Sequence, residues 1–201
     1  MNVPEYSAPP SADGPSQRRV VDALLRHLPS HAVLWTDEST TPYECDGLTA
    51  YRQRPLAVAL PETDAQVQQV LRTCHALQVP VVARGAGTGL SGGAMPHARG
   101  VTLSLAKFNR ILAIDPAART ALVQAGVRNL AISEAAAPHG LYYAPDPSSQ
   151  IACTIGGNVA ENSGGVHCLK YGLTVQNVLK VKGYSVCLLY TSDAADDSLR
   201  V

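Results

Sequence analysis

The residues best suited to chemistry lie in a glycine-rich stretch, RGAGTGLSGG, which spans residues 84–93 and directly follows a short apolar run. Glycine tolerates positive φ angles and lets neighbouring backbone N–H groups converge on an anion. A phosphate or pyrophosphate group is the expected guest of such a loop. The side chain of Arg84 would add positive charge beside it.

The same stretch matches a second glycine pattern, because Gly87, Gly89 and Gly92 fit the nucleotide-binding fingerprint GxGxxG. A Rossmann site needs a helix that starts at the loop and holds the pyrophosphate at its N-terminus. Pro96 and Gly100 disfavour a helix here, so we expect no Rossmann site. The sequence GK[ST] of a Walker A loop is also missing from the chain. A purely structural glycine loop remains the alternative.

A second glycine-dense stretch, PDPSSQIACTIGGNVAENSGGVHCLKYG, spans residues 145–172. Its two glycine pairs enclose small polar residues, and large apolar side chains are scarce over residues 156–165. We expect an irregular loop whose backbone approaches a flat ligand. His167 and Lys170 would supply positive charge to the ligand. Alternatively, His167 is an ordinary packing residue and Lys170 is a solvated surface charge. Together the two stretches predict an extended ligand with an anionic middle.

Regular elements must position these loops, and the first lie near the N-terminus. Residues 1–16 are rich in Pro, Ser and Ala and predict a flexible arm. An apolar face with helical spacing predicts a helix over residues 17–28, capped by Ser16 and ended by Pro29. The run AVLW, residues 32–35, predicts a short strand.

A strand–helix–strand unit precedes the first glycine stretch. LAVAL (residues 56–60) and PVVAR (residues 80–84) predict buried strands, and residues 64–77 predict a helix with Thr63 as N-cap. Such a sequence predicts a βαβ unit with a right-handed crossover. Further elements are predicted downstream, namely strands over residues 101–105, 110–115 and 120–126 and a helix opened by Asn129 over LAISEAAA.

Composition excludes several classes of partner and site. Lys and Arg number 16, as do Asp and Glu, so charge gives no case for a nucleic-acid partner. The 5 cysteines form no CxxC pair, which argues against a zinc ribbon or an iron–sulfur site and for free thiols in a reducing, cytoplasmic location. The N-terminus lacks the pattern of a signal peptide, and no apolar run is long enough to span a membrane.

Several long segments resemble the FAD-binding domain shared by vanillyl-alcohol oxidase and p-cresol methylhydroxylase. The segments are RGAGTGLSGG, YYAPDPSS and CTIGGNVAENSGGVHCLKYGLT. Within that family, the stretches YECDGLTAYRQRP and AGVRNLAISEAAAPHGLYYAPDPSSQIA are similar to the D subunits of bacterial glycolate oxidases. The resemblance covers about residues 17–186.

The resemblance implies an α/β (α+β) fold of two subdomains that hold FAD between them. On this reading, residues 17–54 form an N-terminal helical segment and residues 55–186 form the FAD-binding domain. The first subdomain would span about residues 55–105, and the second, about residues 106–186, would be incomplete.

The resemblance also implies the residues that contact the cofactor. Backbone amides of the first loop would surround the pyrophosphate, namely Arg84, Gly85, Ala86, Gly87, Thr88, Gly89, Leu90, Ser91 and Gly92. The ribityl chain and the isoalloxazine would lie along Pro145, Asp146, Pro147, Ser148, Gly156, Gly157, Asn158, Asn162, Ser163, Gly164, Gly165, Tyr171 and Gly172. Some relatives attach the flavin through a His of the first loop. The comparable position here is Thr88, so noncovalent FAD is expected.

The implied chemistry is oxidation of glycolate, D-lactate or another small D-2-hydroxy acid by hydride transfer to the flavin, with a base that takes the hydroxyl proton. Family members carry substrate arginines, catalytic histidines and metal ligands in a C-terminal cap domain, so no catalytic or metal residue is assigned here. The implied partners are a second flavin-domain subunit and an iron–sulfur subunit, which would bring a cytoplasmic protein to the inner membrane. A non-catalytic FAD-binding scaffold subunit is the alternative.

The last residues depart from the family. After Val186 the chain reads CLLYTSDAADDSLRV, which resembles translated adapter sequence. We therefore expect residues 187–201 to be an artefactual tail and the chain to be an N-terminal fragment. The parent protein would be the enzyme, and the fragment itself would be inactive.

Overall fold

The computed structural model describes residues 14–184. Most of the expected N-terminal arm and the whole expected tail of residues 187–201 lie outside the described residues. The described chain divides into two compact units, of which unit 1 comprises residues 14–107 with Tyr184 and unit 2 comprises residues 108–183. Within residues 14–184, no helix combines the length and the apolar character that a membrane crossing requires.

Helix α1 (Gln17–Leu24) opens unit 1 and confirms the helix predicted near the N-terminus. The side chain of Ser16 accepts a hydrogen bond from the Arg19 N–H, as expected of an N-cap. The helix ends at Leu24, four residues before the predicted end, and the chain continues in turns to Pro29. Its buried face, formed by Val20, Val21 and Leu24, packs on strand β2 (Ala57–Ala59) and helix α3 (Asp64–Ala76).

Unit 1 contains a four-stranded sheet in the order β1-β2-β4-β3. The strands are β1 (Val33–Leu34), β2 (Ala57–Ala59), β3 (Val81–Arg84) and β4 (Val101–Ser104). Strand β1 is antiparallel to β2, whereas β2 and β3 both run parallel to β4. All residues of β2 and β4 are buried. The prediction of a buried strand at β3 was wrong, because β3 pairs with β4 alone among the described strands and its residues stay partly exposed.

Helix α3 (Asp64–Ala76) connects β2 to β3 and was predicted almost to the residue. The hydroxyl of Thr63 accepts the Gln66 N–H at 3.3 Å, which confirms the predicted N-cap. The buried positions recur with helical spacing and are Val67, Val70, Leu71 and Cys74. Between β1 and β2 lie the short helix α2 (Asp37–Thr40) and the 3-10 turn Thr41–Tyr43, and another 3-10 turn spans Ser30–Ala32.

The connection from β3 to β4, residues 85–100, contains no helix. Parallel neighbours usually need a helical crossover, so a glycine-rich loop in this place is unusual. As the sequence predicts, the loop is not followed by the helix that a Rossmann site requires. The loop begins at the carboxyl end of β3, the end of parallel strands at which ligands generally bind.

Unit 2 begins with an antiparallel hairpin of β5 (Ile111–Asp115) and β6 (Thr120–Val123). Helix α4 (Asn129–Ala136) follows, then a 3-10 turn that ends in a left-handed Gly140. The core of unit 2 consists of Val127, Ile132 and Ile155. The partly buried residues that pack against it are Ile111, Val123, Ala131 and Tyr143.

The second glycine-dense stretch is partly helical, so the prediction of an irregular loop was wrong. Helices α5 (Ile155–Glu161), α6 (Cys168–Tyr171) and α7 (Thr174–Asn177) occupy it and its continuation. Helix α5 runs through Gly156 and Gly157 despite the low helix propensity of glycine. The side chain of Thr154 caps it by accepting the Gly157 N–H, and this local bond offsets part of the cost.

Candidate functional site

The first glycine loop, residues 85–93 of unit 1, presents backbone donors without partners. Within the described residues, no hydrogen bond occupies the N–H groups of Ala86, Gly87, Thr88, Gly89 and Leu90. Gly87 and Gly92 have positive φ angles, 73° and 78°, which turn the chain sharply at both ends of this row. A run of unpaired N–H groups in a turning backbone suits an anionic ligand.

The side chain of Arg84 is directed into the protein. Its Nη1 donates to the carbonyl oxygen of Cys45 at 2.8 Å and to that of Ala94 at 3.5 Å, and its guanidinium lies 5.6 Å from the centre of the Tyr43 ring. A Cβ on Gly87 would overlap this guanidinium. The predicted charge of Arg84 is therefore engaged in bracing the loop, with its hydrogen bonds made to the chain's own carbonyls.

Residues 45–48 brace the same loop, a role that no pattern in the sequence predicts. The carboxylate of Asp46 accepts the Gly92 N–H at 2.9 Å and the Leu48 N–H at 3.0 Å. The Gly47 N–H donates to the carbonyl oxygen of Gly89 at 2.9 Å. A Cβ on Gly47 would lie 2.7 Å from the carbonyl oxygen of Thr88, so only glycine fits. The Asp-Gly dipeptide predicts a local turn, but nothing in its spacing points to a loop some forty residues away.

In unit 2, the predicted segment 145–148 is anchored by two polar contacts. The amide of the buried Asn129 donates from Nδ2 to the carbonyl oxygen of Pro145 at 3.0 Å. The Asp146 carboxylate lies 2.6 Å from Nδ1 of His167 and accepts the His167 backbone N–H at 3.3 Å. His167 is thus an exposed partner of Asp146 and not a buried packing residue.

Tyr171 lies next to His167 and contacts a second aromatic ring and a cation. The ring of Tyr171 lies 6.5 Å from that of His167 and meets the ring of Tyr142 edge-on at 6.0 Å. The Lys170 ammonium lies 4.9 Å from the centre of the Tyr171 ring. Hydrogen bonds from Tyr142 and then Lys170 lower the pKa of Tyr171, while the bond to Tyr171 raises the pKa of Tyr142. Lys170 therefore contacts an aromatic neighbour and is not simply a solvated charge.

The contact between His167 and Asp146 predicts that the stability of the protein depends on the protonation of Asp146. The hydrogen bond from His167 holds the pKa of the Asp146 carboxyl below its ordinary range. A lowered folded-state pKa means that the contact contributes stability above the ordinary aspartate pKa of about 3.9 and loses it as the pH falls through the folded value. His167→Ala should raise the pKa of Asp146 towards normal, as followed by NMR of the carboxyl carbon. An unmoved Asp146 pKa would contradict the assignment.

Several glycines of the second glycine-dense stretch are required by close packing within the protein. A Cβ on Gly165 would overlap the carbonyl oxygen and Oδ1 of Asp146, and one on Gly164 would overlap Cδ2 of Leu173. A Cβ on Gly156 would lie 3.0 Å from both Cβ and the carbonyl oxygen of Ala125. Close contact with other parts of unit 2 therefore explains the missing side chain at these three glycines, and contact of their backbones with a flat ligand stays a prediction. Gly157 has more room, with Oγ1 of Thr154 at 3.4 Å as the nearest neighbour.

The polar residues of this stretch are used in two ways. Asn162 takes a left-handed φ of 50° after α5, and its Oδ1 accepts the Val175 N–H at 3.0 Å. The Ser163 carbonyl accepts the Thr174 hydroxyl at 2.7 Å, and Gly172 ends α6 with a φ of 79°. Asn158 differs from them, because its side chain is only 1% exposed and its Nδ2 has no partner among the described residues. A buried donor without a partner is a candidate ligand or water contact.

The two stretches lie in different units: the loop of residues 84–93 is in unit 1, and residues 145–172 are in unit 2. Within unit 2, the structure brings Asp146 together with Gly165 and His167. Ser148 is exposed. Over residues 14–184, no three His, Cys, Asp or Glu side chains are grouped as metal ligands would be.

Comparison with known proteins identifies the family of this chain. The profile of the FAD binding domain matches residues 55–184. The chain is 63% identical over 180 residues to the glycolate oxidase subunit GlcD of Escherichia coli (strain K12). This match covers 88% of this chain and 36% of that subunit. It is 38% identical over 151 residues to the D-lactate dehydrogenase of Anaerostipes hadrus, which covers 75% of this chain and 32% of that enzyme.

A solved structure shares the fold. The p-cresol methylhydroxylase structure with substrate bound superimposes with a TM-score of 0.64 at 25% identity, covering 73% of this chain and 29% of that one. The chain thus spans about a third of the length of the curated relatives named above. The expected α/β fold of the p-cresol methylhydroxylase type is confirmed.

The residues of the structure fit the cofactor of this family. The unpartnered N–H groups of residues 86–90 suit a pyrophosphate, and the buried Nδ2 of Asn158 suits a polar ligand edge. FAD contains both kinds of group. Because the profile match extends over most of the described chain and the relatives and the fold agree with it, this chain belongs to the FAD-binding domain family of p-cresol methylhydroxylase-type flavoproteins, and its cofactor is FAD.

Proposed function

We propose that this chain is the FAD-binding part of an oxidoreductase that removes two electrons from a small D-2-hydroxy acid, glycolate or D-lactate. The observation that carries the proposal is the row of unpartnered N–H groups at the carboxyl end of β3. Support for the substrate class comes from the printed names of the relatives, which include a glycolate oxidase subunit and a D-lactate dehydrogenase.

The proposed division of labour follows the two units. The N–H groups of residues 86–90 bind the pyrophosphate, with Arg84 bracing their loop through Cys45. Residues 145–148, Gly157 and Asn158, with the Asn162–Gly165 segment and the Tyr171–Gly172 pair, line the ribityl chain and the ring. Bound FAD supplies the acceptor for the two electrons and the hydride. We assign FAD a noncovalent attachment, since Thr88 stands where a covalent His would be required.

The proposed domain organisation keeps the sequence boundaries, with residues 55–186 as the FAD-binding domain. The proposed partners are a second flavin-domain subunit and an iron–sulfur subunit, in keeping with a relative that is itself named as a subunit. Through them, a cytoplasmic protein would deliver electrons at the inner membrane. The residue that takes the hydroxyl proton of the substrate is not assigned to this chain.

The test is an anaerobic flavin titration of the protein produced from its complete gene. We expect a bound flavin spectrum that bleaches when glycolate or D-lactate is added, with release of intact FAD on denaturation because the attachment is noncovalent. L-lactate serves as the matched control and should bleach the flavin much more slowly. Bound flavin that none of these acids reduces would favour the non-catalytic scaffold subunit instead, and protein that binds no flavin would contradict both.

A further inference from the structure

A buried carboxylate outside the matched domain makes direct contact with the FAD-binding loop. Asp46 precedes the profile match, which begins at residue 55, and its side chain is only 4% exposed. Burying a carboxylate is costly unless hydrogen bonds replace its hydration. Here Oδ1 accepts the Leu48 N–H at 3.0 Å and Oδ2 accepts the Gly92 N–H at 2.9 Å, so each oxygen has a backbone donor.

The bond to the Gly92 N–H fixes the end of the loop, where the Met95 N–H also donates to the Gly92 carbonyl at 3.1 Å. Residues 86–90 donate no backbone hydrogen bond within the described part of the chain, and among them the Gly89 carbonyl accepts one, from the Gly47 N–H. Asp46 holds the N–H of Gly92 just beyond this row, and Gly47 holds the carbonyl of Gly89 at 2.9 Å. The carbonyl of Gly89 is thus engaged within the protein, whereas the N–H groups of residues 86–90 are left unpartnered among the described residues.

Arg84 secures the other end of the loop against the same segment. Its Nη1 donates to the carbonyl oxygen of Cys45 at 2.8 Å, directly before Asp46. Residues 45–47 therefore contact the loop at its start, middle and end. Asp46 also occupies the Gly92 N–H, so that this group is not one of the pyrophosphate donors that the sequence analysis had assumed.

We propose that Asp46 is a positioning residue for FAD, which holds the pyrophosphate loop in its binding shape before the cofactor arrives. The inference rests on the proposed assignment of that loop to the pyrophosphate. A loop that is already ordered loses less conformational entropy when it binds, and this is a general route to higher affinity. Asp46 acts through the backbone of Gly92 and does not itself touch FAD.

The test measures the apo protein and FAD binding separately. Asp46→Ala removes both acceptors, whereas Asp46→Asn keeps one carbonyl oxygen and should give partial rescue. Asp115→Ala is the matched control, because Asp115 also accepts two backbone N–H groups, those of Ala117 and Ala118, both at 2.9 Å, but in the exposed hairpin turn of unit 2. Trp35 fluorescence during urea unfolding shows whether each variant of unit 1 is folded at the temperature of the titration.

We expect the Gly92 amide of the apo protein to exchange its hydrogen faster in Asp46→Ala, as followed by NMR. The Kd for FAD, measured by flavin fluorescence, should rise about tenfold or more in Asp46→Ala and less in Asp46→Asn, the loss expected for a hydrogen bond to a charged group. Asp115→Ala should bind FAD as the unmodified chain does. A purely structural role would lower the unfolding midpoint while leaving the Kd of the folded variant unchanged.

The outcomes separate the two proposals. Folded Asp46→Ala that binds FAD as tightly as the unmodified chain would overturn the positioning role alone. FAD binding by the unmodified chain that leaves the amides of residues 86–90 unperturbed in the NMR spectrum would overturn the loop assignment, and the positioning role with it. A chain that binds no FAD would overturn both, while faster Gly92 exchange with weakened FAD binding would support both.

Discussion

Replacing Gly165 by alanine should lower the free energy of unfolding of unit 2 by about 3 kcal/mol, the upper part of the usual range for overpacking a filled site. The added Cβ would overlap the carbonyl oxygen, the carbonyl carbon and Oδ1 of Asp146. Two of these atoms belong to the backbone and cannot rotate away. The chain would have to separate residues 164–167 from the segment around Asp146.

The loss should be confined to unit 2 and should include the Asp146–His167 contact. Hydrogen exchange resolved by segment measures it, because protection should fall over residues 142–171 and persist over the strands of unit 1. Gly183→Ala is the control, since no heavy atom lies within 4 Å of a Cβ at that position. Equal protection in the two variants would show that Gly165 is free to accept a side chain.

The effect also distinguishes two reasons for a glycine-dense sequence. If glycine at 165 served only to admit the flavin, Gly165→Ala would weaken FAD binding and leave the apo protein stable. The contact with Asp146 instead predicts destabilisation without any ligand. The first glycine loop shows the other reason, because Ala86–Leu90 keep their N–H groups unpartnered among the described residues.

Local signals in the sequence were enough to predict some elements of the fold but not others. Helix α3 combines a good N-cap, Thr63, with apolar residues at helical spacing, and both act within a few residues of one another. Helix α5 escaped prediction because the Gly156-Gly157 pair has low helix propensity. Helix α5 is held partly by a tertiary contact between Gly156 and Ala125. The Gly156 N–H donates to the Ala125 carbonyl at 2.8 Å, and a side chain on Gly156 would be crowded by Ala125. Such a contact is invisible in the local pattern.

The supports of the candidate site were less predictable than its loops. The glycine stretch at residues 84–93 carries its own signal, because only particular backbones need so many glycines. The bond from the Gly92 N–H to Asp46 joins residues 46 positions apart, and neither residue type reveals its partner. Arg84 shows the same limit, since its charge suggested a ligand while its hydrogen bond goes to Cys45. The glycine pattern of the loop predicts an anion-binding site, whereas the contacts that brace the loop are seen only in the fold.

Leu24→Ala should lower the free energy of unfolding of unit 1 by about 2–5 kcal/mol, the range for truncating a buried leucine and leaving a cavity. Leu24 is fully buried on the face of α1 that packs on β2 and α3. Urea unfolding followed by the fluorescence of Trp35, the single Trp of the chain, reports on this unit. Leu25→Ala is the control, because the neighbouring Leu25 is 38% exposed and should cost little.

The position of Leu24 gives this prediction its weight, since α1 precedes the matched FAD-binding residues 55–184. A helix that were merely attached to the domain could lose a leucine with no change in the unfolding midpoint, and that result would contradict the packing described here. FAD stabilises the folded state by mass action, and at a given FAD concentration the stabilisation grows with the logarithm of the affinity. Saturating FAD should therefore raise the midpoint of Leu24→Ala by as much as it raises that of the unmodified chain, because the cavity lies in the core and leaves the loop intact. Asp46→Ala should lose part of that rise, so the two substitutions separate the stability of unit 1 from the shape of its FAD-binding loop.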